Sequence, residues 1–110
     1  MAENFVLCHY RPKPDAVDAL LDLIREHRQA YREAGLATGA PEYVYVGHEQ
    51  GRPDPLVVTI FEWVDEEASR RASQHPKIGP IWERMEALCE TRDGRPALEF
   101  PHFAAPEVLH

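Results

Sequence analysis

The 110-residue sequence is short of several things, and each shortage removes a class of function. It has two cysteines, and they do not form a CxxC pair. That leaves no cysteine-based zinc site and no thioredoxin-like redox motif. Cys8 lies in an apolar, strand-like run and Cys89 in a helical pattern, so both are expected as small buried hydrophobes. No segment approaches the ~20 apolar residues that a membrane helix needs. The opening Met-Ala-Glu-Asn has neither a basic n-region nor an apolar h-region, which gives the expectation of a cytoplasmic protein. Basic residues are outnumbered, twelve against nineteen acidic, for a formal charge of −7. Nucleic acid and anionic membranes reward a basic face, so neither is an expected partner. The six histidines include no HxH, no HExxH and no i,i+4 pair, and no metal is expected. There is also no GxGxxG, P-loop or GxSxG element, so flavin, nicotinamide, nucleotide and serine-hydrolase chemistry all lack a motif. No cofactor is expected.

What is present is the pattern of one α+β domain spanning residues 1–110, with a core over 4–103 and a short tail over 104–110. "NFVLCHY" (Asn4–Tyr10) is a strand-length apolar run that Pro12 and Pro14 stop. Pro14-Asp15 suits a helix start. Val17, Leu20, Leu21, Ile24, Arg28 and Tyr31 follow at steps of mostly three and four, and Gly35 is placed to end the helix. "EYVYVGHE" (Glu42–Glu49) and "LVVTIFEW" (Leu56–Trp63) read as strands around the turn-rich "QGRPDP". Asp65-Glu66-Glu67 opens a short polar helix that reaches about Gln74 and is interrupted at His75-Pro76. Ile78, Ile81, Trp82, Met85, Leu88 and Cys89 form the apolar stripe of a third helix, which tolerates Pro80 in its first turn. "RPALEFPHF" (Arg95–Phe103) reads as a last edge strand.

Strand, helix, two strands, a helix pair and a strand make the ferredoxin-like split βαβ order: a four-stranded antiparallel sheet with helices on one face. The first and third strands are apolar on both parities: Phe5 and Leu7 against Val6 and Cys8, and Val57, Phe61 and Trp63 against Leu56, Val58 and Ile60. A sheet with one wet face should alternate. Three helices cannot cover both faces, so a homodimer through the sheet faces is expected.

Element order, the run "LVVTIFEWVDEEA" into an acid-capped helix, and "HPKIGPIWERMEAL" together resemble the antibiotic-biosynthesis-monooxygenase-like (ABM) domains of the dimeric α/β-barrel superfamily. The resemblance covers about Asn4 to Phe103. It implies a pocket between helices and sheet, and an activity drawn from a set that includes cofactor-independent oxygenases of aromatic polyketides and quinols, haem-degrading enzymes and isomerases. The haem-degrading branch carries an Asn, a Trp and a His where rough alignment places Leu7, Ala72 and Trp82, and Asn4 lies too early in its strand to substitute. Without the histidine there is no evident iron ligand.

A cofactor-independent monooxygenase acting on an aromatic or quinol-type substrate needs a dry pocket, a base and donors for an oxyanion. His9 and His75 are the candidate catalytic residues, because an imidazole titrates near neutrality. The alternatives are a hydrogen-bonded strand-end or interface histidine for His9 and a helix terminator for His75. Tyr43, Tyr45 and Trp82 are the candidate substrate-binding residues, the tyrosines as hydroxyl donors and the tryptophan as a stacking wall. Cross-strand packing is the alternative for the tyrosines and core packing the alternative for the tryptophan, and each is the commoner role for such residues. A non-catalytic homodimer that binds a small ligand, or a structural protein of the same fold, stays open beside the enzyme.

Overall fold

A computed structural model describes residues 2–110. The chain runs β1 (Phe5–Tyr10), α1 (Val17–Glu33), β2 (Tyr43–His48), β3 (Pro55–Glu62), α2 (Ala68–Gln74), α3 (Ile78–Ala87), β4 (Leu98–Glu99) and β5 (His102–Phe103). The sheet is antiparallel in the order β2-β3-β1-β4, with β5 also on β1. This is the ferredoxin-like arrangement expected, with three helices. Among the described residues, no helix is long and apolar enough to cross a membrane.

The expected last strand is in two pieces, parted at Phe100-Pro101. Pro101 has no N–H to give to the ladder, although its carbonyl accepts the N–H of Leu7 at 3.1 Å. The turn before it places Asp93 (φ 51°) and Gly94 (φ 78°) at its centre, the positive-φ pair that a tight hairpin turn requires.

Helix α1 begins after a turn in which Ala16 N–H donates to the Lys13 carbonyl at 2.9 Å, and Asp18 puts an acid in its first turn. It ends as expected at Gly35 (φ 73°). There Gly35 N–H donates to Arg32 and Leu36 N–H donates to Tyr31, the paired bonds of a Schellman motif. Its buried stripe is Leu20, Leu23, Ile24, His27 and Tyr31. The stripe is therefore turned slightly from the expected one, with His27 inside and Arg28 at the margin. The Arg28 guanidinium escapes burial by reaching the segment before β2, where it donates to the Ala40 carbonyl at 2.9 Å and pairs with Glu42 at 3.4 Å.

Helix α2 is opened by Asp65, whose carboxylate accepts the Glu67 N–H at 2.9 Å and pairs with Arg71 at 3.1 Å. That pairing, with the Arg71 hydrogen bond as the leading cause, holds the Asp65 carboxyl below its ordinary range. His75 ends α2 in an extended conformation (ψ 133°). Its ring Nδ1 accepts the Lys77 N–H at 3.1 Å, and its carbonyl accepts the Gly79 N–H at 3.0 Å. Gly79 packs close to α2: a Cβ would sit 3.2 Å from the Ser73 carbonyl, a tight contact.

The core lies between the helices and one face of the sheet. It holds Val6, Cys8, Tyr10, Val57, Phe61 and Trp63 against Leu20, Ile24, Tyr31, Ile78, Ile81 and Met85. Both cysteines are buried and free, as expected, and burial pushes their thiols up to about 12 (Cys8) and about 11 (Cys89).

Candidate functional site

Strand alternation decides what each sheet residue faces. In β1, Val6, Cys8 and Tyr10 are buried toward the helices, while Phe5, Leu7 and His9 point the other way. The register pairs Cys8 with Thr59 and Leu7 with Ile60, so Thr59 and Phe61 share the helix side and Val58 and Ile60 the open side. Tyr43 pairs with Ile60 and Tyr45 with Val58. Both tyrosines thus stand on the open side, 55% and 56% exposed.

Between helices and sheet is a cavity of about 120 Å³. The sheet supplies Val6, Cys8, Phe61, Trp63 and His102; α1 supplies His27; α2 and α3 supply Ser69, Ala72, Ser73, Ile78 and Trp82; Phe100 stands at the gap between β4 and β5. Of the five residues singled out from the sequence, Trp82 lines this space. His9, Tyr43 and Tyr45 are on the opposite face of the sheet, and His75 sits at the α2 terminus, outside the lining. The structure does not bring the five together. Of the positions compared with the haem-degrading pattern, Ala72 and Trp82 line the cavity and Leu7 is on the open face.

The lining is aromatic and continuous. Trp82 meets Phe100 edge-on at 5.1 Å, His27 at 5.9 Å and Tyr10 at 6.4 Å. Behind them Tyr31 stacks on Phe61 at 5.1 Å, and Phe61 and Trp63 meet edge-on at 4.8 Å. Such contacts fix ring planes as well as filling space.

Three polar features adjoin this wall. His27 is 7% exposed, and burial alone lowers its imidazole to about 4, so it is neutral at pH 7. Trp63 leaves its indole N–H buried and without a partner among the described residues. Tyr31, edge-on to His27 at 4.9 Å, donates its hydroxyl to Glu42, whose carboxyl is raised chiefly by burial. No Lys, Arg, Asp or Glu lines the cavity among the described residues.

His27 was missed by reading the α1 stripe through Arg28, although Leu20, Ile24, His27 and Tyr31 keep helical spacing. His102 and Phe100 were read only as parts of the last strand. Among the described residues, no cluster of three or more His, Cys, Asp or Glu could hold a metal ion.

One polar patch lies elsewhere. Arg11, 1% exposed, pairs with Glu99 at 2.6 Å and donates to the Pro96 carbonyl at 2.7 Å. Arg95 joins Glu49 at 2.7 Å beside it. Glu99 is the register partner of His9, so charge gathers at one end of the open sheet face.

No family model matches this sequence, and no curated protein does. Solved structures do. The chain is similar to an antibiotic biosynthesis monooxygenase at 20% identity and a TM-score of 0.65, covering 94% of this chain and 98% of that one. It is similar to SnoaB, a cofactor-independent oxygenase from Streptomyces nogalater, at 17% identity and a TM-score of 0.69, over 99% and 98% of the two chains. A dimeric ferredoxin-like protein of unknown function from Jannaschia sp. CCS1 matches at 13% identity and a TM-score of 0.64, over 92% and 97%. At these identities the likeness is one of fold. The fold is that of the antibiotic biosynthesis monooxygenase proteins, over nearly the whole chain.

Proposed function

We propose that this chain is a small-molecule enzyme of the cofactor-independent monooxygenase type, acting on an aromatic or quinol-type substrate in the helix–sheet cavity. The observation that carries this reading is the cavity itself: walled by aromatic rings, lined by no Lys, Arg, Asp or Glu among the described residues, and set in a fold shared with a cofactor-independent oxygenase. In such chemistry the substrate supplies the electrons. A dihydroxybenzene and O2 give a hydroxybenzoquinone and water. A ring carbon–oxygen bond forms, and the resulting hydroperoxide loses water as its O–O bond breaks. The protein's part is to hold the ring and to exclude bulk water, which an apolar wall does.

We also propose that the working unit is a homodimer paired through the open sheet faces. Leu7, Val58 and Ile60 stand there partly exposed beside Tyr43 and Tyr45. A two-fold pairing would cover them, and would put His9 and both tyrosines in the interface rather than in the pocket. The fold-mate from Jannaschia is described as dimeric.

Oxygen uptake with hydroquinone and catechol substrates tests the enzyme reading. Turnover is expected in the wild type, with a loss of tenfold or more in Trp82→Ala. His75→Ala measures whether the helix terminator also serves as a base. No uptake across the panel overturns the reading. One observation favours the other possibility, a non-catalytic ligand binder: His27, the histidine that α1 brings to the cavity, is a weak base, with its imidazole lowered to about 4. Ligand binding without oxygen uptake would decide for it.

A further inference from the structure

We infer that the cavity selects an uncharged, single-ring aromatic ligand bearing a hydroxyl group, and that His27 is the residue that binds the hydroxyl. This rests on the cavity being the ligand site, as proposed above, but not on any oxidation taking place there.

Size comes first. An engineered apolar cavity of about 150 Å³ takes up benzene. Pockets for drug-sized ligands run to roughly 300–1,000 Å³. At about 120 Å³ this cavity is on the scale of one ring. Its walls are tied together: Trp82 is held between His27 and Phe100, and Phe61 between Tyr31 and Trp63. A fused tricyclic ligand would have to part these contacts.

Charge comes second. With no lysine or arginine in the lining, an aromatic carboxylate would lose its hydration without a permanent counter-ion. His27, held neutral by burial, offers a carboxylate no charge.

The hydroxyl comes third. The His27 ring is buried, lines the cavity, and makes no hydrogen bond to the described residues. A neutral imidazole offers one acceptor and one donor nitrogen, so it can take the proton of a phenolic O–H or give one to its oxygen. A ligand hydroxyl that pairs with this ring keeps a hydrogen bond on leaving water, which a bare apolar wall would not give it. A site built this way discriminates against the analogue that lacks the hydroxyl.

The experiment compares four probes by calorimetry and by quenching of tryptophan fluorescence: p-cresol, toluene, 4-methylbenzoate and anthrone. For the wild type, p-cresol is expected to bind about tenfold more tightly than toluene, with 4-methylbenzoate and anthrone at least tenfold weaker than p-cresol. His27→Leu is expected to keep toluene binding and abolish the preference for p-cresol; His27→Gln, which can still hydrogen-bond, should restore part of it. Equal affinity of the wild type for p-cresol and toluene overturns the role of His27 without need of a variant. Equal loss of both ligands in a folded His27→Leu protein does the same. Anthrone or 4-methylbenzoate binding as tightly as p-cresol overturns the size or charge argument, and failure of all four to bind overturns the inference whole. Binding of p-cresol by a protein that consumes no oxygen leaves this inference standing and removes the oxygenase reading.

Discussion

Toward the helices, β1 and β3 present Val6, Cys8, Tyr10, Val57, Thr59 and Phe61, and every one is buried. Away from the helices the same two strands present Phe5, Leu7, His9, Leu56, Val58 and Ile60, and every one is partly exposed. The two faces use similar residue types and differ in what lies over them. One is closed within the chain by α1, α2 and α3, and it leaves a small aromatic cavity. The other is apolar, has its charges gathered at the Arg11–Glu99 end, and has no helix over it among the described residues. Composition alone does not say which face of such a sheet is the inside.

Four measurements would break or sharpen that contrast. The largest effect is expected from Phe61→Ala, which removes a ring packed against both Tyr31 and Trp63. A loss of about 3–5 kcal/mol in chemical denaturation is expected for a buried aromatic truncated in this way. Its neighbour on the other face, changed by Ile60→Asp, should leave the protomer folded and divide the proposed dimer, so that sedimentation reports 12.6 kDa instead of twice that mass. If Ile60→Asp instead unfolds the protein as severely as Phe61→Ala, the two faces are not different in kind.

The third effect is a pH dependence belonging to the covered face. Folding lowers the His27 imidazole from 6.5 to about 4. Above pH 6.5 neither the folded nor the unfolded state is protonated there, and the group is silent. Between pH 6.5 and about 4 the unfolded chain takes up a proton that the folded one refuses. Stability should therefore drop as the pH is lowered through that window, by up to about 1.4 kcal/mol per pH unit. His27→Leu should flatten the slope. An unchanged slope in that variant would show that the histidine is not neutralised by burial. The smallest effect is expected at Gly35→Ala. The added methyl has open space, but the backbone at φ 73° disfavours it, so a loss of about 1 kcal/mol is expected by thermal denaturation.

The element order was legible because each element declares its own period. The strand run from Leu56 and the stripe through Ile78, Trp82 and Met85 appear where the sequence places them, and the helix after Asp65 starts at Ala68 rather than Glu66, its acids lying in the turn before it. Trp82 was legible as a wall residue for the same reason. The remaining site residues were obscured by a loss of phase. In a strand apolar on both sides, nothing local distinguishes Cys8 as the residue facing the helices from His9 as the one facing away; only the covering helices decide it. The same ambiguity put Tyr43 and Tyr45 forward as donors. On α1 the neighbours His27 and Arg28 are both polar, and the buried one is the ring that can become neutral, while the longer cation reaches Glu42 and the Ala40 carbonyl. The break in the last strand followed from Pro101, but its consequence for the cavity depended on where Phe100 lies in three dimensions.

That break bears on how quickly anything could enter. Phe100 is 46% exposed, touches Trp82 edge-on, and belongs to a stretch tied to β1 through two two-residue strands and the Leu7–Pro101 hydrogen bond. So few ladder bonds make this the segment of the wall that opens at least cost. Shortening the side chain, as in Phe100→Ala, should therefore speed arrival and departure together, and shift the residence time of a bound ring more than its affinity.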